Sequence, residues 1–197
     1  MDKEERLSRQ MEFCREIDKE KQILRQTILS NGIQREDDSQ HAWHMAVMTL
    51  LLSEYSNEPI DVLKTISMLL IHDLVEIDAG DTYAYDEEGK KTQEAREKKA
   101  ADRIYNLLPA DQAKKLYDIW LEFEAKETPE AKFARAMDNL QPMMLTASTG
   151  GFDWKDRGVR AEQVMKRNEI TPEGSKTLWD YAYDNFLKPN IENGNLQ

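Results

Sequence analysis

The residues able to do chemistry gather in one stretch, His72-Asp73-Leu-Val-Glu76-Ile-Asp-Ala-Gly80-Asp81, and in a pair of histidines upstream, His41 and His44. His72 and Asp73 are adjacent, so on a helix they project about 100° apart and reach one ion lying in a groove between helices. Glu76 stands four residues after His72 on the same face, and Asp81 follows just past the Ala79-Gly80 stop. His41 and His44, three apart, also share a face. Two imidazoles with carboxylates form a ligand set for a divalent transition ion such as Mn, Co, Fe, Zn or Ni. The same acids would be served by ion pairs, with Asp73 set against Arg25, Arg35 or Arg135, and spacing alone leaves both arrangements open. A buried, unpaired carboxylate costs several kcal/mol, so some partner is required.

A further acid, Asp138, borders the stripe Phe133, Met137, Leu140 and Met144 and is expected to be at least half buried. Pro142 lies four residues on and deprives the carbonyl of Asp138 of its helical donor. No Cys or Ser is placed to act as a nucleophile.

These groups need helices to hold them. From Val62 to Ile77 apolar residues occupy every side of the wheel, the pattern of a buried helix. A first helix is expected from about residue 5 to 25, and a second from an N-cap at Ser39 to about Tyr55. Asn31-Gly32 ends the intervening segment, and Arg35-Glu-Asp-Asp38 reads as a polar loop. Helices follow over about 91–107 and 109–124, then one opened by Thr128-Pro129-Glu130, a cap followed by a proline in the first turn. A short helix is expected over 160–167 and a last one over about 172–188. Trp43, Trp120 and Trp179 fall on apolar faces and read as core. With no useful strand alternation and no repeat, the expected fold is all-α, one domain of about seven to nine helices. The loops at 82–90 and 149–158 are candidates for a lid.

The chain of 197 residues carries a net charge of −11, which argues against binding a nucleic-acid polymer. Cys14 is alone, and no apolar run approaches a membrane span, so a soluble cytoplasmic protein is expected. The opening Met-Asp-Lys-Glu-Glu-Arg holds no apolar signal core.

His41, His72-Asp73 and Asp138 stand in the order and spacing of the H…HD…D signature, and the chain resembles the HD-domain metal-dependent phosphohydrolases. It is most similar to the small HD proteins that include bacterial 5′-deoxynucleotidases, whose His-Asp-x-x-Glu-x-x-x-Gly-Asp segment is matched by His72–Asp81. The likeness covers about residues 24–168. It implies that His41, His72, Asp73 and Asp138 ligate one divalent ion (Mn, Co, Fe, Zn, Ni or Mg), with His44 outside the ligand set. It implies hydrolysis of a small phosphomonoester, such as a nucleoside 5′-monophosphate, by water held on that ion, with Glu76 and Asp81 as the catalytic carboxylates. Arg25 matches by position the arginine that faces the substrate phosphate. The deoxynucleotidases carry Arg-Trp where this chain has Arg25-Gln26, a departure that bears on the sugar 2′ position. Members of the group pair as homodimers. The rival expectations are an HD phosphohydrolase for another phosphorylated metabolite or signalling nucleotide, and a non-catalytic helical interaction protein.

Overall fold

Asp37, rather than Ser39, starts the helix that carries His41. Its carboxylate accepts the N–H of Gln40 at 2.9 Å, and the Gln40 amide oxygen accepts the N–H of Asp37 at 3.1 Å, a reciprocal cap. The acid two residues upstream of the expected cap therefore wins, and Asp38 becomes the first residue of the helix. The computed structural model describes residues 1–196.

The chain opens with α1 (Lys3–Glu16) and a 3-10 turn (Ile17–Gln22). The expected first helix stops there, because Leu24–Ile28 forms β1 and pairs antiparallel with β2 (Arg35–Asp37). The turn between them explains the difference. Asn31 Oδ1 accepts the N–H groups of Ile33 and Gln34, and Gly32 takes φ +70°, a conformation that glycine adopts without steric cost. Arg25 thus lies on a strand, and the supposed polar loop at 35–38 is a strand and a helix start.

Then come α2 (Asp38–Leu52), α3 (Val62–Ile71) and, after a 3-10 turn at His72–Val75, the single turn α4 (Glu76–Ala79). The Tyr105 hydroxyl donates to the carbonyl of Ile71 at 2.9 Å, satisfying an acceptor where α3 tightens. Next are α5 (Glu87–Tyr105), α6 (Ala110–Ala125) and α7 (Pro129–Ser148). Thr128 caps α7 as expected, and the helix runs through Pro142 without a break. The chain ends in short pieces: α8 (Phe152–Asp156), α9 (Ala161–Arg167), α10 (Thr171–Gly174), α11 (Lys176–Ala182), a π-helical turn (Tyr183–Leu187) and α12 (Lys188–Glu192). The expected last helix is interrupted at Ser175, whose extended backbone and hydroxyl cap α11. The fold is all-α apart from the small ribbon.

Two apolar clusters hold the helices. One gathers Met45, Met68, Leu69, Phe123, Phe133 and Met137 around α7; the other gathers Ile71, Val75, Ile104, Tyr105 and Trp120 between α5, α6 and the end of α3. Each large side chain contributes roughly 1.5–3 kcal/mol by leaving water. Trp120 is buried and Trp179 packs at the core edge, but Trp43 lies on the surface, 65% exposed. On α2 apolar residues stand on both the inner and outer faces, so hydrophobicity does not tell which side is covered. No helix among the described residues is long and apolar enough to cross a membrane.

The site helix α7 is braced by α10 at a close backbone approach. A Cβ on Gly174 would stand 2.3 Å from the carbonyl oxygen of Lys132. Gly174→Ala is expected to destabilise the protein by about 1–3 kcal/mol through this overlap. Urea denaturation checks this as a lower midpoint with an unchanged slope.

Candidate active site

Four elements converge on one buried point. His41 comes from the second turn of α2, His72 and Asp73 from the 3-10 turn that ends α3, and Asp138 from the middle of α7. Phe123 of α6 packs against the His72 ring, with centroids 4.7 Å apart. His41 is fully buried, and His72 and Asp138 are each 4% exposed.

Both imidazoles have their tautomer set from outside. His72 Nδ1 donates to the carbonyl of Leu69 at 3.0 Å, and His41 Nδ1 donates to the amide oxygen of Gln141 at 2.8 Å. Each ring therefore turns Nε2 toward the two aspartates. His72 Nε2 stands 3.1 Å from Asp73 Oδ1 and 3.7 Å from Asp138 Oδ1, and His41 Nε2 stands 3.1 Å from Asp138 Oδ1. Adjacent ligands on an octahedral transition ion are about 3 Å apart, since metal–ligand distances are near 2.1 Å. The ligand atoms of His41, His72 and Asp73 all lie within 4.8 Å of one another, so this group could hold a metal ion. His72 Nε2 is buried, and its contacts with the carboxylates are not aligned as hydrogen bonds, so its lone pair is placed to bind a cation. Imidazole N–H groups tied to carbonyls are the usual outer support of metal-binding histidines. The donor set and its geometry fit a divalent transition ion.

The ion pairs left open by the sequence also form. Asp73 gives its other oxygen, Oδ2, to Arg25 at 2.8 Å, and Asp138 gives Oδ2 to Arg135 at 2.8 Å. Each aspartate is thus divided, one oxygen toward an arginine and one toward the imidazoles. The ion pairs therefore leave one oxygen of each aspartate free to face an ion.

Around this point lies a cavity of about 670 Å³, lined in part by Arg25, Glu76, Asp81 and Arg135. Glu76 is 6% exposed, and its Oε2 has no partner. Burial, with Asp73 and Asp38 nearby, holds its carboxyl well above the usual range. Gly80 at φ +73° turns the chain out of α4 and sets Asp81 on the cavity wall, where burial raises its pKa. Burial drives His41 down to about 4. Burial also opposes charge on His72, but Asp73 and Asp138 outweigh it and raise that imidazole to about 10.

Several participants escaped the sequence reading. Asp38 is fully buried, 3.2 Å from Arg25 Nη1, and its pKa is pushed up to about 8 by burial and by Asp73. Glu36 is 1% exposed, faces Arg25 Nε at 3.7 Å and accepts from Gln141 Nε2 at 2.5 Å. Gln141 also reaches His44 Nδ1 at 3.1 Å, so His44 touches the site only through that amide.

Comparison with known proteins bears on this geometry. The model of the HD domain family matches residues 17–179. The chain is 32% identical to human 5′-deoxynucleotidase HDDC2 over 139 residues, which is 70% of this chain but 66%, just under two thirds, of the human protein. It is 30% identical to the Dictyostelium discoideum 5′-deoxynucleotidase HDDC2 over 166 residues, 81% of this chain and 85% of that one. The crystal structure of a predicted metal-dependent phosphohydrolase from Magnetospirillum magnetotacticum superposes with a TM-score of 0.93 at 46% identity, covering 98% of this chain and 96% of that one.

Two measurements test the electrostatics. Gln141→Leu removes the acceptor that orients His41, and Mn(II) affinity is expected to fall by roughly 10- to 100-fold. Metal titration of the folded variant checks this. Glu20, buried on the 3-10 turn with an unpartnered Oε1, is pushed up to about 7 by burial and by Asp73. A pKa raised on folding gives stability that is complete below about 4.5 and is lost as pH rises through 7. Glu20→Gln should therefore raise stability at pH 8 by up to about 3 kcal/mol relative to its effect at pH 4, as read from denaturation curves at the two pH values.

Proposed function

The chain belongs to the HD-domain family, and from that premise we propose that it is a metal-dependent phosphohydrolase acting on nucleoside 5′-monophosphates or closely similar phosphomonoesters. The observation that carries the reading is the convergence of two tautomer-locked imidazoles and two divided aspartates at the wall of a nucleotide-sized cavity. In this reading His41, His72, Asp73 and Asp138 hold one divalent ion. When bound, such an ion draws in a phosphoryl oxygen and lowers the pKa of a water toward neutrality.

The remaining work falls to the chain. Glu76 orients the attacking water and takes its proton as the new P–O bond forms. A cation beside Glu76 favours the carboxylate it needs for that task, against the burial that otherwise keeps it protonated. Asp81, whose pKa burial raises, donates a proton to the sugar oxygen as the old P–O bond breaks. Arg25 orients the phosphoryl group with whatever guanidinium capacity Asp73 and Asp38 leave free. Gln26 lines the same cavity and accepts from Arg35 at 2.8 Å, so the sugar meets an amide where the resembling deoxynucleotidases have an indole.

The reading extends to a cytoplasmic protein working as a homodimer. Support for pairing comes from Trp43, Leu50, Leu51, Leu63 and Leu70, large apolar side chains left exposed on α2 and α3.

Phosphate release from a panel of ribo- and deoxyribonucleoside 5′-monophosphates, with Mn(II) or Co(II) added, tests the activity. Turnover is expected that a chelator abolishes. Glu76→Gln should lower kcat by roughly 10²- to 10⁴-fold while the metal remains bound. Failure of every nucleotide with metal bound would remove this substrate class.

A further inference from the structure

Arg25 is a poorly provisioned anion site. Its guanidinium is shared among Asp73, Asp38 and Glu36, all within 4 Å, so it sits in a surplus of negative charge. Arg135, on the other side of the metal ligands, is likewise committed to Asp138 and Glu124 and lies over the Phe123 ring. A phosphomonoester dianion entering this cavity needs a cation that is not already neutralised.

Among the described residues that line the cavity, Lys126 and Arg167 are half-buried cations with no carboxylate within salt-bridge distance. Lys90 also lines it but is paired with Glu87, and Lys98 is exposed. Arg167 lies on the wall of the tyrosine-bearing loop, near Asp81, Tyr83 and Tyr85. Lys126 lies on the wall of the metal ligands, in the turn between α6 and α7, with Arg135, Glu124, Asp138 and Glu97 as its charged surroundings.

The backbone singles out Lys126. At φ 58° and ψ 28° it is the one described residue other than glycine in the left-handed region. Its N–H closes α6 onto the carbonyl of Glu122, a helix ending that glycine makes without steric cost. Six glycines take positive φ elsewhere in this chain, so the usual solution is in use here. A lysine in this position bears a conformational cost, and what it adds is an unpaired ammonium facing the cavity.

We propose that Lys126 binds the phosphoryl group of the substrate, opposite Arg25. This rests on the phosphohydrolase reading for the identity of the substrate, but the anion site itself can be tested without turnover.

The test compares wild type, Lys126→Gly and Lys126→Arg, each loaded with Mn(II). Lys126→Gly relieves the backbone, so its Tm should equal or exceed that of wild type by a few degrees. Its KM for a nucleoside monophosphate should nevertheless rise roughly 10- to 100-fold, with kcat changed far less. Calorimetric binding of inorganic phosphate should weaken by a similar factor, and Lys126→Arg should recover much of both. Phosphate affinity and KM within twofold of wild type in Lys126→Gly would overturn the assignment, as would a wild-type protein that binds no phosphate. If wild type binds phosphate, loses that affinity on Lys126→Gly and yet hydrolyses no nucleotide, the anion site stands and the substrate class falls.

Discussion

The arrangement of the site turns on how Asp73 and Asp138 divide their oxygens. One oxygen of each is held at 2.8 Å by an arginine, and the other faces the two imidazole Nε2 atoms. A charge-assisted bond to guanidinium is strong and directional, so it fixes the plane of the carboxylate as well as offsetting its burial. The carbonyl of Leu69 and the amide of Gln141 fix the imidazoles in the same way. The four inward atoms are thus aimed before any ion arrives, and only a cation or a proton lets them remain together. A well-packed core alone would not require that arrangement, and burying these acids for stability would be a poor bargain against apolar residues.

The rest of the fold serves this division. Asp138, Gln141 and Arg135 all lie on α7, which is the wall of the main apolar cluster and is itself braced by α10. Arg25 reaches Asp73 because the β1–β2 ribbon carries it there, and the same ribbon delivers Glu36 and the cap of α2. The buried acids outnumber the cations near the metal ligands. Burial and the neighbouring acids raise Glu36, Asp38 and Glu76 together. Asp81 and Lys126 both line the cavity, so the groups proposed to meet the leaving oxygen and the phosphate lie on its walls.

Much of this was legible because it follows from local rules. Apolar residues from Val62 to Ile77 marked the helix that leads into the site, but not its full burial, since Leu63 and Leu70 on the outer side of α3 stay exposed. Thr128-Pro129 marked the start of α7. His72-Asp73 and the acids after it read as a site because polar groups in such a helix need partners. The ribbon was not legible: Leu24–Ile28 is half-buried without alternation, and Asn31-Gly32 serves a hairpin as readily as a helix end. Asp38 and Glu36 were missed because nothing local in Arg-Glu-Asp-Asp says which acids tertiary contacts will cover. Gln141 was hidden in an otherwise apolar stripe. Trp43 was misplaced because an outward apolar face looks, in sequence, like an inward one. Spacing could not choose between metal and arginine because a carboxylate has two oxygens, and each aspartate here uses one for an arginine and turns the other to the imidazoles.

Anomalous diffraction from crystals grown with Mn(II) would test the central claim most directly. The account predicts a single strong peak per chain, within ligand distance of His41 Nε2, His72 Nε2, Asp73 Oδ1 and Asp138 Oδ1, with Arg25 and Arg135 still on the outer carboxylate oxygens. No peak there at saturating Mn(II), or a peak that leaves Asp138 on Arg135 alone, would contradict it.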